Sequence, residues 1–309
     1  MRTDTGARFT APCGARSARL RRSARPPVDE TGAGLARPSI RAGCGGRISE
    51  PKLRFKVTLG GSAAFLRFYG ELNDFLPPHR RGRLIVHRFD VSPSVKEAIE
   101  SIGVPHPEVE LVVVNSQPVD FSYPLKSGDF VSVYPAFHSI ELGSVPRLRP
   151  ERQGEPRFVL DVHLGRLAAY IRLLGFDAMY RNDLTDAEVA AAAARERRIV
   201  LTRDRGLLKR NEVIYGYWIR HSEPRKQLVE TLRRFDLAPR VDLFTRCLVC
   251  NARLERVEKC AMESRLPPHA AERFQDFHLC PSCGRVYWKG SHYRRMLKLI
   301  GRTLREARI

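Results

Sequence analysis

Two Cys-x-x-Cys pairs, Cys247 with Cys250 and Cys280 with Cys283, constrain this chain more than any other feature. A pair spaced by two residues can turn both sulfurs toward one point. Two such turns, here separated by residues 251–279, complete the tetrahedral thiolate set that Zn²⁺ prefers. Asn251 and Gly284 directly follow the second cysteine of each pair and supply the tight backbone that such a turn needs. A zinc ion held by four thiolates has no open position, so it would be structural and not hydrolytic. His278 or His292 could replace one cysteine in a mixed site. Cys260 has no Cys-x-x-Cys partner and reads as a bystander, as do Cys13 and Cys44. Seven cysteines, four of them in metal-type pairs, argue against a secreted disulfide framework and predict a reducing, cytoplasmic setting.

A chain of 309 residues, 43% of them hydrophobic, is long enough for two folded units with separate cores. Residues 1–50 are rich in Arg, Gly, Ala, Ser and Pro without apolar periodicity, and read as a disordered extension. An organelle transit peptide fits poorly there because Asp4, Asp29 and Glu30 interrupt it; a spacer or a misassigned start fits better. No run approaches the roughly 20 apolar residues of a membrane-spanning helix, so a soluble protein with no membrane partner is expected. The formal charge of +20 attracts polyanions, of which nucleic acid is the commonest. Only 9 of the 54 basic residues are Lys. That bias suits phosphate, because the guanidinium fork grips oxygens in pairs, and GC-rich codon usage would produce it equally.

Residues 51–137 combine strands with one helix. The pattern predicts strands over 53–59, 84–89, 109–114 and 130–134, and a helix over 94–100 opened by a Ser94/Glu97 capping box. Asn115-Ser116 and residues 126–129 read as turns. This small α+β unit resembles ubiquitin-like β-grasp domains related to sulfur carriers, on the segments GVPHPEVELVVVN and LKSGDFVSVYP. Sulfur carriers react through a free terminal Gly-Gly, whereas here Tyr134-Pro135-Ala136-Phe137 runs on into further chain. The unit is therefore expected to bind or position, with a protein partner one candidate occupant. Residues 138–155, with Gly143, Pro146, Pro150 and Gly154, read as a linker.

From 156 to 243 strands and helices alternate: strands over 158–160, 177–180, 199–202 and 213–219, helices over 164–174, 186–195 and 225–235, with Gly175 closing the first helix. Such alternation builds a parallel sheet with helices on both faces. Ligands of open α/β sheets gather beyond the carboxyl ends of the strands. Asp161 and Asp204 stand there, with Asp186 at the start of the second helix and Asp183 as a possible additional acid. Converging carboxylates repel one another unless a cation sits between them, and Mg²⁺ or Mn²⁺ with its waters is the natural occupant. Each acid also has a local reading. Asp161 and Asp204 can cap the helices they precede, and Asp186 can complement the dipole of a helix already boxed by Thr185 and Glu188. Arg203 and Arg205 flank Asp204, where they can hold phosphate or face solvent.

The segments LDVHLGRLAAYIRLLGFDAMY, LTDAEVAAAAARERRIVLTRDRGLL, RCLVCN and CPSCGRVYWKGSHYRRM together resemble the mut-seven C-terminal RNase family, PIN-like nucleases with an appended zinc ribbon. The unit before them resembles the ubiquitin-like domain that accompanies this RNase domain. The resemblance implies an α/β PIN-like three-layer domain over 156–243 with a C-terminal zinc ribbon and basic tail over 244–309, preceded by the small α+β ubiquitin-like β-grasp domain. It implies a ribonuclease that hydrolyses RNA phosphodiester bonds with Mg²⁺ or Mn²⁺, and it matches Asp161, Asp186 and Asp204 to the acids that bind the catalytic metal. Beside the last cysteine pair, Arg285, Tyr287, Trp288, Lys289 and His292 interleave rings and cations, which suits single-stranded RNA. For Tyr287 and Trp288 themselves, packing in the ribbon strand and core is the favoured reading over base stacking. Two rivals stay open on the residues alone: a catalytically silent RNA-binding protein whose acids are caps, and a sulfur-transfer adaptor built on the β-grasp unit. Oligomeric state leaves no mark on the sequence.

Overall fold

The computed structural model describes residues 61–136, 148–150 and 154–307. The expected extension over 1–50, the strand over 53–59 and most of the 138–155 linker lie outside the described residues. The first domain opens with β1 (Ser62–Phe68), which buries Ala64, Leu66 and Phe68 in strand alternation. The sequence hides this strand because Ala63 and Phe65 on its outer face are apolar too. Phe65 stacks on Phe130 at 4.9 Å between ring centroids, so the alternation is hidden in the sequence. β2 (Ile85–Phe89), α1 (Val95–Ile102), β3 (Val109–Val114), β4 (Gln117–Val119) and β5 (Phe130–Pro135) follow. The sheet order is β2-β1-β5-β3-β4, with β1 and β5 parallel and the other pairs antiparallel. α1 starts at the Ser94/Glu97 capping box and drops Val95, Ala98 and Ile99 into the core. Asn115 and Ser116 both take positive φ, 48° and 69°, the backbone of a two-residue turn that matches strand twist.

In the second domain β6 (Arg157–Leu160), β7 (Asp177–Met179), β8 (Ile199–Thr202) and β9 (Gly216–Trp218) form a parallel sheet in the order β7-β6-β8-β9. α2 (Gly165–Leu173), α3 (Asp186–Glu196), α4 (Arg205–Leu208) and α5 (Pro224–Arg234) connect and flank it. Phe158 and Leu160 pack with residues of α2 and α5, while Val159 and Val200 pack with α3 and α4. Helices thus cover both faces of the sheet. Gly175 ends the α2 segment at φ 94°, and a Cβ there would lie 2.1 Å from the Asp242 carbonyl oxygen, so only glycine fits this close crossing. The strand order runs outward from β6 in both directions, so the chain's crossovers part between β6 and β8 and leave a crevice at their carboxyl ends.

The C-terminal part holds an antiparallel sheet of β10 (Glu255–Val257), β11 (Phe277–Leu279) and β12 (Val286–Trp288), with α6 (Pro268–Arg273) before β11. The chain then forms α7 (Ser291–Ala307) where the sequence suggested only a basic tail. Its apolar residues recur at helical spacing: Ile300 is buried, and Met296, Leu304 and Ala307 pack against the same core as α2 and α5. Residues Thr58–Ile309 make one compact unit, and bonds cross between its first two domains. The Trp218 N–H donates to Glu108 Oε1 at 2.6 Å, and Lys209 Nζ donates to the Glu100 carbonyl at 2.7 Å.

Candidate active site and metal centre

Asp161 follows β6 directly, and its N–H continues the ladder by donating to the Leu201 carbonyl at 3.1 Å. Its side chain makes no capping bond to the helical turn that follows. Instead Oδ2 accepts from the Thr202 hydroxyl at 2.8 Å. The residue is 5% exposed, and among the described residues its carboxylate has no ion-pair partner. A buried carboxylate without a cation is costly, and a chain of net charge +20 has many cations it could have placed there. Thr202 Oγ1 in turn accepts from the Asp204 N–H at 2.8 Å. One fully buried hydroxyl therefore joins the ends of β6 and β8 at the crevice.

Asp204 is the N-cap of α4, with Oδ1 accepting from the Gly206 N–H at 2.7 Å. A Cβ at Gly206 would lie 3.2 Å from that oxygen, so the glycine lets the cap close. Asp186 is exposed in the first turn of α3, which is boxed by Thr185 and Glu188. Asp183 is engaged in a two-pronged pair with Arg181 at 2.9 and 2.7 Å, which holds its carboxyl below the usual range and occupies both oxygens. The structure thus ties Asp161 to Asp204 through Thr202, while Asp186 and Asp183 stand apart from that link. Arg203 Nη1 donates to the His221 carbonyl at 2.7 Å. Arg205 turns toward the first domain: it stacks over Trp218 at 4.1 Å and donates to the Phe75 carbonyl at 3.2 Å. Its guanidinium is engaged in the domain contact.

The four paired cysteines do converge. All four Sγ atoms lie within 4.8 Å of one another, and this is the one such group of His, Cys, Asp or Glu among the described residues. Both pairs use the same turn. The Cys250 N–H points at Cys247 Sγ at 3.5 Å and the Cys283 N–H at Cys280 Sγ at 3.4 Å, while Asn251 and Gly284 take φ of 71° and 70°. Zn–S bonds of about 2.3 Å in a tetrahedron set sulfurs roughly 3.8 Å apart, close to the 3.6 Å from Cys247 to Cys283. The thiols titrate against one another. Burial pushes Cys247 up, but hydrogen bonds from Tyr287 and the backbone outweigh it and pull the thiol down to about 6. Burial pushes Cys280 up to about 12. A divalent cation at the centre removes that conflict by favouring all four thiolates.

Arg172, which the sequence did not single out, and unforeseen contacts of Asn251 and Tyr287 hold this module in place. Arg172, 3% exposed, donates to the carbonyls of Ala178, Leu248 and Val249 at 2.9, 3.0 and 2.8 Å. Asn251 clamps β7 by accepting from the Ala178 N–H at 3.0 Å and donating to Asp177 at 2.8 Å. Tyr287, expected to stack on RNA, sends its hydroxyl to Cys247 Sγ at 3.1 Å. Trp288 is half-buried and packs beside Phe277. Arg285, Lys289 and His292 are exposed.

Family models match the chain in two blocks, the Mut7-C RNAse domain over residues 156–300 and the Mut7-C ubiquitin domain over residues 61–141. The chain belongs to the Mut7-C RNAse family. No curated protein and no solved structure matches it. The Mut7-C RNAse match takes in both cysteine pairs and most of α7, in keeping with the bonds that tie the cysteine turns to β7. The Mut7-C ubiquitin match covers all five strands of the first sheet.

Proposed function

We propose that this Mut7-C protein is a metal-dependent ribonuclease with a PIN-like catalytic domain, cutting RNA phosphodiester bonds at the carboxyl edge between β6 and β8. The observation that carries the reading is Asp161: a buried carboxylate with no cationic partner, placed at the crevice of a parallel sheet in a domain of an RNAse family. The backbone N–H of Asp204 bonds the same Thr202 hydroxyl, which sets Asp204 at the adjoining strand end. Two carboxylates fit Mg²⁺ or Mn²⁺, which keeps several waters and completes its shell with substrate phosphate oxygens. Such an ion, when bound, neutralises phosphate charge and lowers the pKa of a water for attack. Asp161 and Asp204 would hold it, Thr202 fixes the rotamer of Asp161, and Asp186 on the first turn of α3 is the third acid. Arg203 is the basic residue of this edge available to steer the RNA backbone.

The four cysteines hold a structural zinc in a ribbon that carries RNA-binding cations. The capping bonds of Asp204 and the box around Asp186 are local roles that a metal site can share, whereas Asp161 caps nothing. The test is cleavage of single-stranded RNA with Mn²⁺ by the parent, Asp161→Asn and Asp204→Asn. Loss of at least about a hundredfold in rate is expected for Asp161→Asn. Equal residual cleavage by all three proteins would sink the assignment.

A further inference from the structure

A cavity of ≈ 520 Å³ opens where the cysteine module meets α2 and α7, and Asp161, Asp186 and Asp204 are not among its lining residues. Phe244, Trp288 and Tyr293 give it aromatic walls, and Arg273, Arg294 and His292 add cationic or protonatable groups. No Asp or Glu is among its described lining residues. A second cavity, beside α5, differs in this respect, since Glu71, Glu230 and Glu306 line it together with its arginines. Phe244 sits at φ 69°, a left-handed conformation that costs a bulky residue about 1–2 kcal/mol. Edge contacts with Tyr293 at 4.9 Å and His278 at 5.0 Å hold its ring there. Such local strain is retained mainly where a site needs the side chain placed.

Rings alone suit any flat apolar group, and cations alone suit any anion. Both together, with no competing carboxylate, select a ligand that is planar, aromatic and anionic. We infer that this cavity takes one nucleotide of a single-stranded RNA, its base stacked among the rings and its phosphate on the arginines. A volume of this order suits a small polyatomic ligand, for which cavities run from about 300 to 1,000 Å³. The inference rests on the ribonuclease reading for the identity of the polymer, and on the cavity alone for the nucleotide.

The placement makes it an anchoring subsite. Leu173, at the last turn of α2, lines the cavity, while Asp161 precedes the short 3-10 turn Val162–Leu164 that leads into the first turn of that helix. At 1.5 Å per residue the nine residues of α2 alone span roughly 14 Å. α7 begins at the cavity with Ser291 to Arg294, and its far end reaches the start of α5, where Arg225 pairs with Glu306. Arg295, Lys298, Arg302 and Arg305 are exposed along α7 at the spacing of one helical stripe. They give phosphates a track from the cavity toward the edge that carries the acids.

The test is binding to the full-length Asp161→Asn protein without added Mg²⁺ or Mn²⁺, measured by calorimetry with adenosine 5′-monophosphate and with ribose 5-phosphate. Stacking contributes about 1–3 kcal/mol per base, so the nucleotide should bind about tenfold tighter than the sugar phosphate. Arg273→Ala and Tyr293→Ala should each weaken the nucleotide by about tenfold, and Arg88→Ala on the first domain should not. Arg273 is exposed, so its variant stays informative if Tyr293→Ala fails to fold; zinc content and circular dichroism check each protein. Equal affinity for the two probes would reduce the site to a phosphate patch and overturn the inference, as would no binding of the nucleotide or no effect of Arg273→Ala. Cleavage plays no part in this readout. Nucleotide binding by a protein whose parent cuts no RNA leaves the cavity and removes the nuclease reading, and cleavage without nucleotide binding does the reverse.

Discussion

The Thr202 hydroxyl donates to Asp161 and accepts from the Asp204 N–H inside the fold. Replacing it by Val keeps the shape and strands both partners, which should cost about 1–3 kcal/mol in urea unfolding and lower RNA cleavage. Thr202→Ser should restore most of both. An unchanged unfolding midpoint for Thr202→Val would show that the hydroxyl is not a shared bond. Asp177 offers a test of charge. Burial alone would raise its pKa, but hydrogen bonds from Arg198 and Asn251 outweigh it and hold the carboxyl below the usual range. A depressed folded-state pKa contributes stability that is fully present above the unfolded value of about 3.9 and is lost as pH falls through the folded one. Asp177→Ala should therefore be less stable than the parent at neutral pH, with the gap closing below about pH 4. A gap that stays constant with pH would mean that packing, not charge, is lost. The place of Asp161 and Asp204 after strands is legible in the sequence, whereas the role of Thr202 is not. A hydroxyl acquires this role only when β6 and β8 lie side by side.

At the scale of elements, two identical turns carry the cysteine module, each with its N–H to sulfur contact and its left-handed residue. Cys280→Ser should abolish zinc binding, and the module should lose its near-ultraviolet circular dichroism, because a structural site and its local fold form together. Asp161→Asn should keep its zinc. Zinc retained by Cys280→Ser would mean that a fourth ligand other than Cys280 serves the site. Helices α1 and α3 were legible because their capping boxes are purely local. α7 was not, since its apolar stripe is interrupted by five basic residues from Arg294 to Arg305 and acquires meaning only against α2 and α5.

Across the whole molecule, the ubiquitin-like domain is bonded to the edge strand of the RNAse-domain sheet. Glu108 is fully buried, accepts from the Trp218 N–H and lies 3.9 Å from Arg220. Burial pushes its carboxyl up against the pull of Arg234 and Arg220. Glu108→Ala leaves the Trp218 N–H without its buried acceptor and takes one of two carboxylates from Arg220, which keeps Asp74, so a loss of about 3 kcal/mol is expected. Glu108→Gln keeps the acceptor and should lose less. Separate melting of the two domains in Glu108→Ala, seen by calorimetry, would mark this contact as their joint; a single unchanged transition would show it to be dispensable. The sequence by itself determined what is local: the cysteine turns, the capping boxes, the parallel alternation and the acids at strand ends. Each follows from residue type and spacing within a few positions. Only the tertiary structure decided that Arg205 and Glu108 join two domains, that Tyr287 serves a cysteine, and that Asp161 and Asp204 meet through one hydroxyl. Those contacts link residues far apart in the chain, and they exist only once the strands that carry them are neighbours.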